Sequence, residues 1–156
     1  MIAIDVETSG LYARHEILSV GVYSPEYAFY LRMRTDKPVD SKAIEINGLD
    51  PSEGLSQTEG RRLFMQSFSK KEIVLGHNYA FDLGFLKQWL PDYGKVFHYH
   101  YRDSMGAALF LRDKGLYHGS VSLQVLCEHF GITHYAHTAL GDAMACWHVY
   151  QRLLQM

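Results

Sequence analysis

From Ile17 to Tyr23 the chain reads Ile-Leu-Ser-Val-Gly-Val-Tyr, a nearly continuous apolar run with no alternation between faces. A strand patterned in this way is covered on both sides, since a half-exposed strand carries polar residues at every second position. The chain must therefore build a sheet with other elements packed on each face. Ile2 to Val6 reads as a second strand, with Ile2, Ile4 and Val6 on one face. Residues 27–33 alternate Tyr27, Phe29, Leu31 and Met33 against Ala28, Tyr30 and Arg32, a strand with one wetter face. The Ser24-Pro25-Glu26 break joins it to the preceding run as a hairpin. Ile73 to Gly76 and Val96 to Tyr101 supply two further strands.

Helical signals follow the hairpin. Ser56 with Glu59 three positions on is a capping box, opening a helix that carries Leu63, Phe64 and Phe68. A helix through Phe81, Phe85 and Trp89 stops at Pro91. Two more run over 104–113 and 122–130, the second ending at Gly131. The last spans about 139–154, with Ala143, Trp147, Tyr150 and Leu154 as its buried stripe. The expected fold is a mixed α/β sheet of five strands flanked by helices, in one domain over residues 1–156.

Composition narrows the function. Net charge is −2 with nine histidines, so no global basic field advertises a polyanionic partner. Cys127 and Cys146 lack metal-ligand spacing and read as core hydrophobes of a reducing compartment. With strand pattern from Ile2 onward there is no room for a targeting peptide, and no apolar run approaches the ~20 residues of a membrane span. A cytoplasmic protein without membrane contact is expected.

Against this background three acidic motifs stand out. Asp5 and Glu7 lie two apart on the first strand, on the same face, with Cα atoms roughly 6.5–7 Å apart. Such a pair can share two metal ions ~3.5–4 Å apart. Asp82 closes the motif His77-Asn78-Tyr79-Ala80-Phe81-Asp82 directly after a buried strand; with Asn78 as N-cap it falls near the first turn of a helix, where the dipole favours a carboxylate. Asp142 closes His137-Thr138-Ala139-Leu140-Gly141-Asp142, four residues past Thr138 as N-cap, with His137 just outside the helix. Each carboxylate alone is also an ordinary strand-end or helix-start residue. The three motifs in this order are far more specific.

The combination resembles the DEDDh family of 3′-to-5′ exonucleases. The matching segments are Asp5-Val6-Glu7-Thr8-Ser9-Gly10-Leu11, His77 to Asp82 with Phe85-Leu86, and His137 to Asp142. Ala43 to Leu49 and the segment Ser122-Leu123 to Phe130-Gly131-Ile132 match secondarily, so the likeness spans nearly the whole chain. It implies a ribonuclease H-like fold. It also implies two Mg²⁺ or Mn²⁺ ions held by Asp5, Glu7, Asp82 and Asp142, with His137 as general base. The oxygen-only ligand set favours hard cations independently. Thr8, Leu11 and Phe81 would border the terminal nucleotide of a single-stranded or frayed 3′ end, with nucleoside 5′-monophosphates released. DNA and RNA both remain open as the polymer. So do a homodimer and a polymerase partner.

Other polar residues carry less. Asp103, between a strand and a helix, reads as an N-cap rather than a metal ligand, so Asp103→Asn is expected to spare activity. His98 and His100 share one strand face without a carboxylate motif. Arg14, His15, Lys87, Arg112, Lys114 and His118 could meet phosphates, with solvated surface as the default. The competing function is a non-catalytic nucleic-acid or protein-binding module on the same fold. It is disfavoured because all five catalytic positions are filled. An endonuclease on this fold is a third reading.

Overall fold

The computed structural model describes residues 1–156. Its sheet has five strands in the order β3-β2-β1-β4-β5. They are β1 (Ile2–Thr8), β2 (Ile17–Ser24), β3 (Tyr27–Arg32), β4 (Val74–Gly76) and β5 (Arg102–Asp103). The first three form an antiparallel meander; β4 and β5 join β1 in parallel. The hairpin closes at the Ser24–Tyr27 pair, around Pro25 and Glu26. The helices are α1 (Ser41–Asn47), α2 (Gln57–Gln66), α3 (Ala80–Trp89), α4 (Tyr93–Val96), α5 (Ser104–Asp113), α6 (Leu123–Phe130) and α7 (Ala139–Leu153). The mixed α/β, ribonuclease H-like expectation is met. No helix is long and apolar enough to cross a membrane.

Both faces of β2 are buried, as its apolar run requires. On one face Ile2, Ile4 and Val6 of β1 join Phe64 of α2 and Phe85, Leu86 and Trp89 of α3 in the main core. Each fully buried side chain of this kind contributes roughly 1.5–3 kcal/mol relative to exposure. On the other face Ala3 and Leu75 meet Ala143, Cys146 and Tyr150 of α7. Helices α5 and α6 then pack on the outer side of α7 through Ala108, Leu111, Leu126, Ala145 and Val149. Both cysteines are free and buried.

Two expected elements change and one is added. The strand over Val96 to Tyr101 is not formed: Val96 ends α4, Phe97 makes an isolated bridge to Glu72, and the ladder resumes only at Arg102. Val96 and Phe97 are buried, but beyond them Tyr99 is 93 % exposed, so burial does not continue along the segment. Helix α7 stops one residue early and Leu154 is exposed; Leu153 and Val149 take the buried positions. Helix α1, outside the expected set, is bracketed by Asp40, which accepts the Lys42 N–H, and by Gly48 in the left-handed conformation.

Gly21 sets the approach of α7. It pairs with Asp5 across the β1–β2 ladder, and a Cβ there would fall on the backbone of Ala139 and Leu140. Gly21→Ala should cost about 1–3 kcal/mol through overpacking, read by chemical denaturation, and should reduce any activity that depends on Asp142. A change below about 0.5 kcal/mol, ordinary for surface positions, would disprove this close approach.

Candidate active site

Asp5 and Glu7 project from β1 toward α7, on the face opposite Ile4 and Val6. The parallel pairing of β1 with β4 covers only Ile2 and Ala3. Ile2 donates its N–H to Ile73 O on that edge, and two-residue periodicity places the Val6 N–H on the same edge, past the end of β4. Asp82 takes this free donor: its Oδ1 accepts from Val6 N at 3.0 Å. The start of α3 is thereby fastened to β1 between the two strand carboxylates.

The N-cap of α3 is Tyr79, not Asn78, and it makes no side-chain cap bond. Asn78 instead turns the chain at φ 58°, a conformation Asn tolerates. Asp82 is consequently three residues past its cap, whereas Asp142 is four past Thr138, so the two helix starts do not match. Thr138 is the N-cap of α7 as expected, but its hydroxyl donates to Tyr135 O rather than capping.

Two further contacts fix Asp142. Its Oδ2 accepts the main-chain N–H of His137 at 3.0 Å, a direction set by the left-handed φ of 60° at His137. Its Oδ1 meets Nε2 of His134. The His137 ring is exposed and makes no hydrogen bond, so its backbone, not its imidazole, touches the cluster. Sequence reasoning missed His134. It lies eight residues before Asp142 in an irregular segment, where no periodicity relates the two.

Asp5, Glu7 and Asp142 can each place one oxygen within 4.8 Å of the others. Asp82, 4 % exposed, stands beside this trio with one oxygen committed to Val6. Burial raises the Asp5 carboxyl well above the usual range, and the charges of Asp82, Asp142 and Glu7 push the same way. Glu7 is raised to about 7, by burial first and then by Asp142. Burial also raises Asp82, opposed by the Val6 hydrogen bond. No Lys or Arg forms an ion pair with any of the four. Converging, partly buried carboxylates with no lysine or arginine paired to them form a donor set suited to hard divalent cations.

Around this cleft, Thr8 is buried and its hydroxyl donates to Gly10 O, closing the turn after β1. Asn47, at the end of α1, donates to Thr8 O. Leu11 is 67 % exposed and Phe81 half-buried; with Ala13, Gly84, Phe85 and Gln88 they line one pocket of about 230 Å³. Asp103 caps α5 through Met105 N and Gly106 N, and it also accepts the N–H groups of Asn78 and Tyr79. His98 and His100 stack on each other and belong to no cluster of metal-ligating side chains.

The structure is thus a five-stranded mixed α/β domain with four carboxylates, Asp82 and Asp142 buried and Asp5 and Glu7 half-buried, gathered at the end of its central strand. Residues 2–150 match the RNase_T family, described as "Exonuclease", and the chain belongs to it, within the DEDDh exonuclease superfamily that its motifs implied. No curated protein sequence gives a significant match. Among solved structures, the nuclease domain of 3′hExo, a DEDDh family member bound to rAMP, superposes with a TM-score of 0.72 at 14 % identity, covering 99 % of this chain and 90 % of that one. Exonuclease X in complex with 5′ overhanging duplex DNA gives 0.70 at 17 %, covering 99 % and 90 %. A structure of the yeast NOT1 MIF4G domain co-crystallised with CAF1 gives 0.71 at 17 %, covering 99 % and 78 %.

Proposed function

We propose that this protein hydrolyses phosphodiester bonds from the 3′ end of single-stranded or frayed nucleic acid, releasing nucleoside 5′-monophosphates in the cytoplasm. The observation that carries the reading is the convergence of Asp5, Glu7 and Asp142 within 4.8 Å in a partly buried cleft, with no lysine or arginine paired to any of them. Asp5, Glu7, Asp82 and Asp142 would hold two Mg²⁺ or Mn²⁺ ions. Bound there, the cations would acidify the attacking water and offset the charge of the scissile phosphate and its leaving 3′ oxygen.

The chain supplies the rest. Asp82, tied to Val6, and Asp142, tied to the His137 backbone, keep their positions before substrate arrives, which limits reorganisation during the reaction. His137 takes the proton of the attacking water; its ring has no internal hydrogen bond to break first. Leu11 and Phe81 hold the terminal base in their shared pocket, beside Thr8, without selecting sequence.

The deciding experiment follows 5′-labelled DNA and RNA oligonucleotides with Mg²⁺ or Mn²⁺. Stepwise shortening to mononucleotides that chelator stops is expected, with a 3′-blocked oligonucleotide resistant. His137→Ala should keep cation binding while turnover falls ~10²–10⁴-fold. Near-normal turnover in that variant would remove His137 from the reaction. A wild-type protein that binds the oligonucleotide without shortening it would favour the non-catalytic binding module, and cleavage of the blocked oligonucleotide the endonuclease.

Stability should report the cations separately. In the metal-free protein the folded state holds Glu7, Asp5 and Asp82 protonated at pH values where the unfolded chain has already released those protons. The stability tied to them is complete below the ordinary carboxylate range and is lost as pH rises through about 7, the value for Glu7. Melting temperature without metal should therefore fall between pH 5.5 and 8. Saturating Mn²⁺ should restore roughly 5–10 °C at pH 8, equivalent to ~2.7 kcal/mol at a hundredfold excess over Kd, and much less at pH 5.5. A cation effect independent of pH would contradict binding at these carboxylates.

A further inference from the structure

The densest unexplained chemistry outside the carboxylate cleft lies between α2, α3 and the segment entering β2, around a cavity of about 130 Å³. Of the four buried side-chain polar atoms that lack a hydrogen-bond partner, three belong to its lining residues: Gln57 Oε1, Arg61 Nε and Trp89 Nε1. Orphaned buried polar atoms are few in folded proteins, so their gathering about one space points to a ligand.

Other hydrogen bonds define what each lining group has left to offer. Gln57 spends its amide nitrogen on the carbonyls of Ile17, at 2.9 Å, and Arg34, at 3.0 Å, which leaves its oxygen unmet. His15 is only 2 % exposed, against the surface position expected from sequence. Its Nδ1 accepts the Tyr12 N–H at 3.1 Å, which puts the proton of the neutral ring on Nε2, and that N–H has no partner. At the rim, Glu16 is engaged by Lys37 at 2.9 Å and by the Thr35 hydroxyl. Arg61 forms no ion pair, which makes it the lysine or arginine of the lining without a carboxylate partner.

Unpartnered N–H donors on the lining residues, together with an unpaired arginine, suit an oxyanion, and phosphate above others. A cavity of about 130 Å³ has room for a phosphate group. The cavity shares Phe85 and Gln88 with the Leu11–Phe81 pocket, so the two spaces adjoin. We propose that this cavity is a phosphate subsite, formed by His15, Arg61 and Trp89, that takes a second phosphate group of the nucleotide held next door. Gln57 Oε1 meets the anion through a bridging water. The link to the nucleotide rests on the nuclease reading, whereas phosphate binding does not.

Trp89 reports the site directly. The experiment uses a Trp147→Phe background, chelator throughout and constant ionic strength, with inorganic phosphate, a nucleoside 5′-monophosphate and a nucleoside 3′,5′-bisphosphate as probes. Phosphate should change Trp89 emission saturably, and the bisphosphate should bind about tenfold more tightly than the monophosphate, one charge-assisted contact's worth. Arg61→Gln should abolish both effects. Arg62→Gln, on the exposed side of the same helix and bonded to Gln66, should preserve them. Absence of a saturable response, or an unchanged response in Arg61→Gln, overturns the site; equal affinity for the two nucleotides overturns its link to the adjoining pocket. Because no divalent cation is present, these results are independent of hydrolysis: a protein that binds phosphate here yet never shortens oligonucleotides refutes only the nuclease reading.

Discussion

Asp5→Asn should abolish hydrolysis and, at the same time, make the metal-free protein more stable. Asp5 is the carboxylate most surrounded by its own kind: burial raises its pKa, and Asp82, Asp142 and Glu7 all add to the effect. An amide of the same shape keeps the packing and removes one of the converging charges. Turnover should fall on the order of 10³-fold, because a ligand at the centre of the cluster is lost. The metal-free melting temperature at pH 8 should rise by several degrees, about 2–4 °C for each kcal/mol in a chain of this length. The gain should shrink toward pH 5, below the values of Glu7 at about 7 and Asp82 at about 8, where those two neighbours are neutral. This opposition of stability and activity is characteristic of a site assembled for an ion. A variant that is inactive but less stable at pH 8 would mean that Asp5 holds the fold rather than a cation.

Asp103→Ala should be the most damaging substitution outside the carboxylate cluster. One oxygen accepts from Met105 N, Gly106 N and Asn78 N, and the other from Tyr79 N at 2.9 Å. The side chain thus joins the start of α5 to the turn that launches α3 and carries Asp82. Beside it, the Ser104 hydroxyl bonds the His77 ring at 2.8 Å and Gly76 O at 3.3 Å. Losing a charged acceptor shared by four N–H groups should cost about 3–4 kcal/mol, with caps alone worth ~1. Melting temperature should drop on the order of 10 °C, and turnover should fall because Asp82 is no longer held. Asp103→Asn is revised by the same geometry. Its amide can replace only one of the two accepting oxygens and sets an NH₂ against the Tyr79 or Asn78 N–H, so partial losses of both stability and turnover are expected. Unfolding free energy and kcat within error of wild type for the alanine variant would show that the strap is dispensable.

Where burial leaves a periodic trace, the fold was legible in sequence. Strands β1 to β4 and helices α2, α3, α5, α6 and α7 each bury an apolar face or run, and each was readable. Helix α1 buries no residue, so no stripe marks it; Asp40 and Gly48 at its ends were the only available signals. The segment Val96 to Tyr101 misled for the converse reason. Its aromatic and β-branched residues favour a strand, but Val96 is taken into the core as the end of α4 and Phe97 follows it there, while Tyr99 stays in solvent.

Sequence alone determined which residues could form the site. Two acids in period-two spacing on an apolar strand, and two more just inside helices, are constraints of local geometry, which a chain carries in its order of residues. Tertiary structure alone decided how they meet. Gly21 lets α7 descend onto β2, the short β4 leaves Val6 free for Asp82, and Asp103 binds two helix starts far apart in the chain. His134 and His15 acquired their surroundings in the same way, one against Asp142 and the other beside Arg61. Such contacts join residues with no fixed spacing, and only close packing of the finished chain brings them together.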